Sequence, residues 1–169
     1  FIWSSASGRL TGADTGAGRL PEAHDIARLG FLLLDGGSLP WDLRGKRVVV
    51  TSGGTREEID PVRFLGNRSS GKQGHAIAAV AAARGADVTL VTSSDLPTPP
   101  SVDAVHIDSA REMRQHTLRE AARADVVIKA AAVADFRPAE VAGSKLNKGS
   151  DSEPAQIRLE ENPDILAEL

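Results

Sequence analysis

Between Val48 and Gly74 the chain reads VVVTSGGTREEIDPVRFLGNRSSGKQG, a β-branched run leading into a stretch dense in glycine, hydroxyls and cations. Gly53, Gly54 and Thr55 follow the run directly, and two glycines let backbone N–H groups approach a ligand without side-chain obstruction. Arg56, Arg63, Arg68 and Lys72 add positive charge around them. Ser69, Ser70 and Gly71 stand where a helix is expected to begin, and the free N–H groups of a helix start favour a phosphate or a carboxylate. The chemistry this stretch suits is the holding of an anion. Asn67 contributes an amide that both donates and accepts; it either holds a reacting oxygen or caps a turn beside Gly66.

Two familiar glycine motifs fit poorly. A dinucleotide fingerprint needs G-x-G-x-x-G with the helix immediately after it, yet here the helix is expected only from about Lys72. The acid expected at the end of the second strand is also missing, since Thr92 and Ser93 stand there. Gly66 to Lys72 matches G-x-x-x-x-G-K, but Gln73 replaces the hydroxyl wanted on Mg²⁺, and the motif begins well downstream of the strand.

These residues need elements to position them. Arg47–Thr51 predicts a buried strand, and the long loop then leads to an alanine-rich helix from about Lys72 to Arg84, with Ser69 and Ser70 as N-cap candidates and Gly85 as its stop. Strands are predicted at Asp87–Thr92, Ala104–Ile107 and Asp125–Ala131, and the box of Ser109 and Glu112 opens a helix reaching about Ala122. This alternation predicts an α/β fold, a Rossmann-like open, mostly parallel sheet with helices on both faces. Ligands in such sheets sit beyond the carboxyl ends of the strands, so the loops after Thr51, Thr92 and Ala131 should converge. Residues 1–44 are glycine-rich, with helical spacing only over Glu22 to Leu34, and read as a tail or linker.

Composition sets the outer limits. The 169 residues, 41% of them hydrophobic, suffice for one ordinary domain plus a tail. A formal charge of −3 supplies no general basic field for nucleic acid, so an anion site must come from local charge. With no cysteine there is no disulfide, thiolate metal site or thiol nucleophile, which fits a reducing, cytoplasmic setting. No apolar run approaches the roughly 20 residues that cross a bilayer. His24, His75, His106 and His116 show no metal-ligand spacing and read as surface or helix positions.

GGTREEIDPVRFLGNRSSGKQG, AAAVADFRP, KLNK and ENPDIL, in this order and spacing, resemble the synthetase domain of bacterial phosphopantothenoylcysteine decarboxylase/synthetase in coenzyme A biosynthesis. The resemblance covers residues 45–169 and implies a synthetase (CTP-binding) domain that is incomplete at its C-terminus. ASGRLTGADTGAGRLPE looks like the end of the decarboxylase domain, so residues 1–44 would be its tail; Gly12 aligns with the family's catalytic cysteine, and FMN would belong only to the absent decarboxylase domain.

The resemblance implies a phosphopantothenate–cysteine ligase, a CTP-dependent acid–amino-acid ligase that activates 4′-phosphopantothenate as an acyl-cytidylate and condenses it with cysteine. Joining two anions needs fixed cations, Mg²⁺ and backbone donors. By resemblance Lys145 serves the first half-reaction and Asn67 the second, with Ser69, Ser70 and Gly71 at the substrate. Gly53, Gly54, Thr55, Ala130, Ala131, Asp135, Lys145 and the turn Pro163, Asp164, Ile165 and Leu166 would border the CTP. Asp135 taken alone reads more readily as a solvated loop acid, and Asn162-Pro163 as a helix start. Asn147 departs from the family's lysine between Lys145 and Lys148. Lys129 interrupts an apolar strand and either snorkels from the sheet edge or approaches the nucleotide. The implied partners are these small molecules and a second copy in a homodimer, to which Arg63 and Phe64 could contribute, with a higher oligomer if fused to the decarboxylase. The alternative is an incomplete fragment that folds and binds nucleotide or dimerises without turnover.

Overall fold

The computed structural model describes residues 41–147 and 156–169 continuously and, before them, residues 6–9, 15–20, 23, 26–27 and 30–31. At the start, where the glycines suggest a tail or linker, β1 (Ala6–Arg9) and β2 (Thr15–Arg19) pair antiparallel. Of the helix expected over Glu22 to Leu34, positions 23, 26–27 and 30–31 are helical and the rest lies outside the described residues, as do Gly12, His24 and Lys148.

A four-stranded parallel sheet is the centre of the molecule. Its strands are β3 (Arg47–Ser52), β6 (Asp87–Thr92), β7 (Val102–His106) and β8 (Val126–Lys129), in the order β7-β6-β3-β8. Successive side chains of a strand point to opposite faces, and here each face is covered by its own helix. Val48 and Val50 of β3 with Val88 and Leu90 of β6 pack on Ala78 and Ala81 of helix α1 (Lys72–Ala83). Val49 and Val91 pack instead on Met113 of helix α2 (Ala110–Ala121), together with Ile107 and Ile165. Burying each such Val, Leu or Met contributes about 1.5–3 kcal/mol, so β3, sandwiched on both sides, is the strand around which the domain closes. The fold class is therefore α/β, an open Rossmann-like parallel sheet with helices on both faces.

The helix starts differ in kind. Ser109 caps α2 by accepting from the Glu112 N–H, while the Glu112 carboxylate accepts from the Asp108 and Ser109 N–H groups at 2.8 and 3.1 Å, completing the expected capping box. Those backbone hydrogen bonds hold the Glu112 carboxyl below its ordinary range. At α1 neither Ser69 nor Ser70 is the cap: Gly71 is, at φ 74° and with no side-chain cap. A Cβ there would lie 2.6 Å from Ser94 Cβ, so both the backbone angle and the space call for glycine.

The stretch between β3 and α1 is not one long loop. Its first part folds into an antiparallel hairpin of β4 (Arg56–Asp60) and β5 (Arg63–Gly66). Sequence pattern hides this hairpin because its buried side chains include two acids, Glu57 and Asp60. Glu57 is stabilised by accepting from the Ala110 N–H at 2.9 Å, at the positive end of α2. After β8, short strands β9 (Phe136–Pro138) and β10 (Leu159–Glu161) also pair antiparallel. Asn162-Pro163 opens turns rather than a helix; Asp164 accepts from the Leu166 and Ala167 N–H groups.

Candidate functional site

The carboxyl ends of β3 and β8 meet as the topology requires. Gly54 bridges to Ala132, the Ala132 N–H donates to the Gly53 carbonyl at 2.8 Å, and the Ala134 N–H donates to Thr55 Oγ1 at 2.9 Å. The Ala130 and Ala131 N–H groups are taken by the Thr51 carbonyl and Thr51 Oγ1. Gly53 is packed against protein: a Cβ would stand 2.4 Å from Ser93 Oγ and 2.9 Å from the Ser94 nitrogen. Its neighbour Gly54 lies under Asn67, whose carbonyl would be 2.6 Å from an added Cβ. The paired glycines therefore bring the Asn67 loop down onto the sheet end.

Asn67 is exposed, and its Nδ2 donates to the Ala132 and Val133 carbonyls at 3.4 and 3.2 Å, leaving Oδ1 without a protein partner among the described residues. The Ser69 N–H donates to the Asn67 carbonyl at 2.8 Å, and Ser94 Oγ donates to the Ser70 carbonyl at 2.9 Å. Below this turn Ser52 Oγ donates to the Gly71 carbonyl at 2.8 Å, and His75 Nδ1 stands 3.0 Å from the same oxygen. His75 lies in α1, one of the two placements expected of it, and is buried there rather than at the surface. Thus Gly53–Thr55, Asn67–Gly71 and Ala130–Ala131 do form one locus.

The second group lies next to it. Asp135, Pro163, Asp164 and Ile165 line a cavity of about 400 Å³ together with Lys129 and Glu161. Asn162 joins the two groups, its Nδ2 donating to the Ala134 carbonyl at 2.8 Å and its N–H to the Asp135 carbonyl at 2.8 Å. Ile165 is 1% exposed and belongs to the core, whereas Leu166 is 65% exposed. Lys129 is half-buried at the sheet edge, with no partner among the described residues. A further cavity, of about 380 Å³, opens beside Arg56, Ser93, Ser94, His106 and Asp108, and none of the catalytic, nucleotide-binding or substrate-binding residues expected from sequence lines it.

Charge pairing separates the cations into two sets. Arg56, Arg63, Arg84, Arg114, Arg123 and Arg137 are each paired with a carboxylate. Arg68 and Lys72, on either side of the serines, and Lys145 are exposed and unpaired among the described residues. Lys145 lies in the segment after β9, and the backbone beside it is gripped by Asp60 and Arg63 at Leu146. Nothing in the residue pattern pointed to Asp60, an acid buried in a hairpin that the sequence conceals.

Residues 43–169 match the model of the DNA/pantothenate metabolism flavoprotein C-terminal domain. The chain belongs to that family. Among curated relatives it is 56% identical to the coenzyme A biosynthesis bifunctional protein CoaBC of Mycobacterium tuberculosis, over 98% of this chain and 40% of that protein. The corresponding protein of Vibrio cholerae is 41% identical over 100% of this chain and 42% of its own length. The chain thus spans about two fifths of the curated relatives it matches. A crystal structure of the C-terminal domain of a CoaBC protein superimposes with a TM-score of 0.63 at 46% identity, covering 73% of this chain and 57% of that one. The DNA/pantothenate metabolism flavoprotein of Streptococcus pneumoniae, at 23% identity and a TM-score of 0.60, shares the fold.

Family membership corrects the functional expectation. The matching family is described as a flavoprotein domain, and the matched relatives carry the name of a bifunctional coenzyme A biosynthesis protein; neither description names a synthetase. A single flavoprotein-domain match runs from 43 to 169, where the resemblance placed a synthetase domain behind a decarboxylase remnant. The ligase function and its fragment alternative, the CTP-dependent enzyme class, CTP and Mg²⁺ as co-substrate and cofactor, and the condensation of 4′-phosphopantothenate with cysteine at the expense of CTP are accordingly withdrawn, while the phosphopantothenate context of the family remains. Among the described residues no group of three or more His, Asp or Glu side chains stands where it could hold a metal ion, and no helix is long and apolar enough to cross a membrane.

Proposed function

We propose that this chain is a ligand-binding part of a cytoplasmic coenzyme A biosynthesis protein, and that it holds an anionic, phosphorylated derivative of pantothenate at the carboxyl edge of its sheet. One observation carries this reading: the N-cap of α1, Gly71, has no side chain, Ser70 Oγ reaches only the Lys72 N–H and at 3.5 Å, and the cations flanking the helix start, Arg68 and Lys72, have no carboxylate partner among the described residues. An uncapped helix start with free cations lowers the energy of a bound anion. The pantothenate part of the proposal comes from the family description and the biosynthetic role named for the relatives.

Each residue of the locus has a part in this reading. Asn67 Oδ1 and the Ser69 and Ser70 hydroxyls accept or donate to the ligand's polar chain, the N–H groups after Gly71 take its phosphate, and Lys145 adds a point charge from the far side. Gly53, Gly54, Thr55, Ala130 and Ala131 form the floor, and Asp135 with Pro163–Leu166 forms the adjoining wall. Residues 45–169 form the binding domain in this reading, and residues 1–44 serve as its tail or linker.

A flavin is the cofactor that the family description implies, and the described residues do not fit it. An isoalloxazine needs a flat slot with apolar walls, and its phosphate needs cations. The cavity beside Arg56 is walled by Ser93, Ser94, Asp95, His106 and Asp108, with Arg56 already shared between Asp95 and Asp108. The cavity beside Lys129 does offer apolar walls in Val133, Phe136 and Ile165, but it sets three carboxylates, Asp135, Glu161 and Asp164, around a single lysine, a charge balance that repels a phosphate. Calorimetric titration of the chain with phosphorylated pantothenate tests the proposal: binding that is lost with Arg68→Gln/Lys72→Gln supports it, and no binding by the folded chain refutes it.

A further inference from the structure

Asp60 is a fully buried carboxylate at the end of β4 that the binding site itself does not use. Burying a carboxylate is costly unless its oxygens are all satisfied. Here Oδ1 accepts from the Val62 N–H at 2.9 Å, which closes the hairpin turn, and Oδ2 accepts from the Leu146 N–H at 3.1 Å and pairs with Arg63. Arg63 Nη2 also donates to the Leu146 carbonyl at 2.6 Å. Both backbone polar groups of Leu146 are thus gripped by one ion pair. Upstream, the Ala142 N–H donates to the Ile59 carbonyl at 3.0 Å, so the strap from 142 to 146 is tied to β4 at both ends. Burial raises the Asp60 pKa, but the hydrogen bonds from Val62, Arg63 and Leu146 outweigh it and hold the carboxyl at about 2, so the grip is fully charged at neutral pH.

We infer that Asp60, acting with Arg63, is a positioning residue: it latches the strap at Leu146 and so sets Lys145 against the hairpin whose second strand, β5, runs straight into Asn67. The strap sequence Ala-Gly-Ser before Lys145 has little apolar surface to fix its own course. Without the latch the lysine would sample many positions and lose most of its pull on a bound anion. The inference rests on the proposed role of Lys145 at the anionic ligand, and the test separates the two.

The peptide bond between Lys145 and Leu146 is a tryptic site whose amide is the group Asp60 holds, so the latch can be read without any ligand. In the full chain, Asp60→Asn is expected to raise both tryptic cleavage after Lys145 and amide exchange at Leu146 by about tenfold, the effect of losing one charge-assisted hydrogen bond. Arg63→Ala, at an exposed position, is expected to do the same if Asp60→Asn does not fold. Protection retained at Leu146 in both variants overturns the latch. Titration with phosphorylated pantothenate then reads positioning. Asp60→Asn should weaken binding as Lys145→Gln does, and the double variant should be no weaker than Lys145→Gln alone, a non-additivity that a merely structural role would not produce. Additive losses overturn positioning. If Lys145→Gln leaves affinity unchanged while Leu146 is deprotected in Asp60→Asn, the role of Lys145 at the ligand fails and the positioning role with it, although the latch itself is then seen directly.

Discussion

Gly53 is where the end of the central strand and the floor of the site depend most directly on a missing side chain. It has φ 87°, a region where an L-residue is strained, and an added Cβ would stand 2.4 Å from Ser93 Oγ and 2.9 Å from the Ser94 nitrogen. Gly45 supplies a built-in control, with φ 77° but nothing within 4 Å of the added atom. The backbone cost of alanine in this region is about 1–2 kcal/mol and should appear in both variants. Overpacking against a fixed neighbour costs a further ~1–3 kcal/mol and should appear only at Gly53, where Ser93 is held in place by donating to the Gly54 carbonyl at 2.8 Å. Gly53→Ala should therefore lose roughly 2–5 kcal/mol and Gly45→Ala roughly 1–2 kcal/mol. With a urea slope of about 2 kcal/mol/M, the unfolding midpoint should fall by about 1–2.5 M and 0.5–1 M respectively. Equal midpoints for the two variants would refute the claim that the strand end is closed by protein contacts.

Other consequences follow from single groups. Ser109→Ala removes the cap that accepts from the Glu112 N–H and should cost about 0.5–2 kcal/mol by urea unfolding. Met113, 0% exposed between α2 and the sheet, should cost about 2–5 kcal/mol as Met113→Ala, and a loss below 1 kcal/mol would mean that the α2 face is not the packed core described. Asp60 is held at about 2 against an ordinary 3.8, so its contribution to stability is present above pH 3.8 and is lost as pH falls through 2. Between those limits Asp60→Asn should flatten the pH dependence of the unfolding midpoint, whereas the same slope in both proteins would contradict the assignment.

Much of the sheet was legible because its strands are apolar runs and its helices carry local stop and start signals. Asp87–Thr92 and the Ser109–Glu112 box stand where their residues predict. The hairpin was not legible, since REEID and RFLG bury acids whose stabilising partners, Ala110 and Leu146, lie far along the chain. The N-cap position itself falls to Gly71 rather than to Ser69 or Ser70, because Ser52 and Ser94 press on position 71 and leave room only for glycine; Ser70 Oγ accepts from the Lys72 N–H, but only at 3.5 Å. Within the site, Asn67, Gly53–Thr55 and Ala130–Ala131 could be grouped from the rule that strand ends converge, which depends on topology alone. The chemistry was less legible than the location. The expectation of an anionic ligand follows from donors and unpaired charge, whereas the reaction attached to it came from resemblance and did not survive the family assignment.

Binding of a phosphorylated pantothenate derivative at the Asn67–Gly71 turn and the start of α1 can be read residue by residue. The most direct measurement is amide chemical-shift perturbation during titration of the isotope-labelled chain with that compound, with inorganic phosphate alone as a second arm. Saturable shifts are expected to concentrate at Gly53–Thr55, Asn67–Gln73 and Ala130–Ala134, to be weaker with phosphate alone and to be abolished by Arg68→Gln/Lys72→Gln. Saturable shifts confined to the cavity beside Arg56 and Asp108, or no shifts at all from a folded sample, would contradict it.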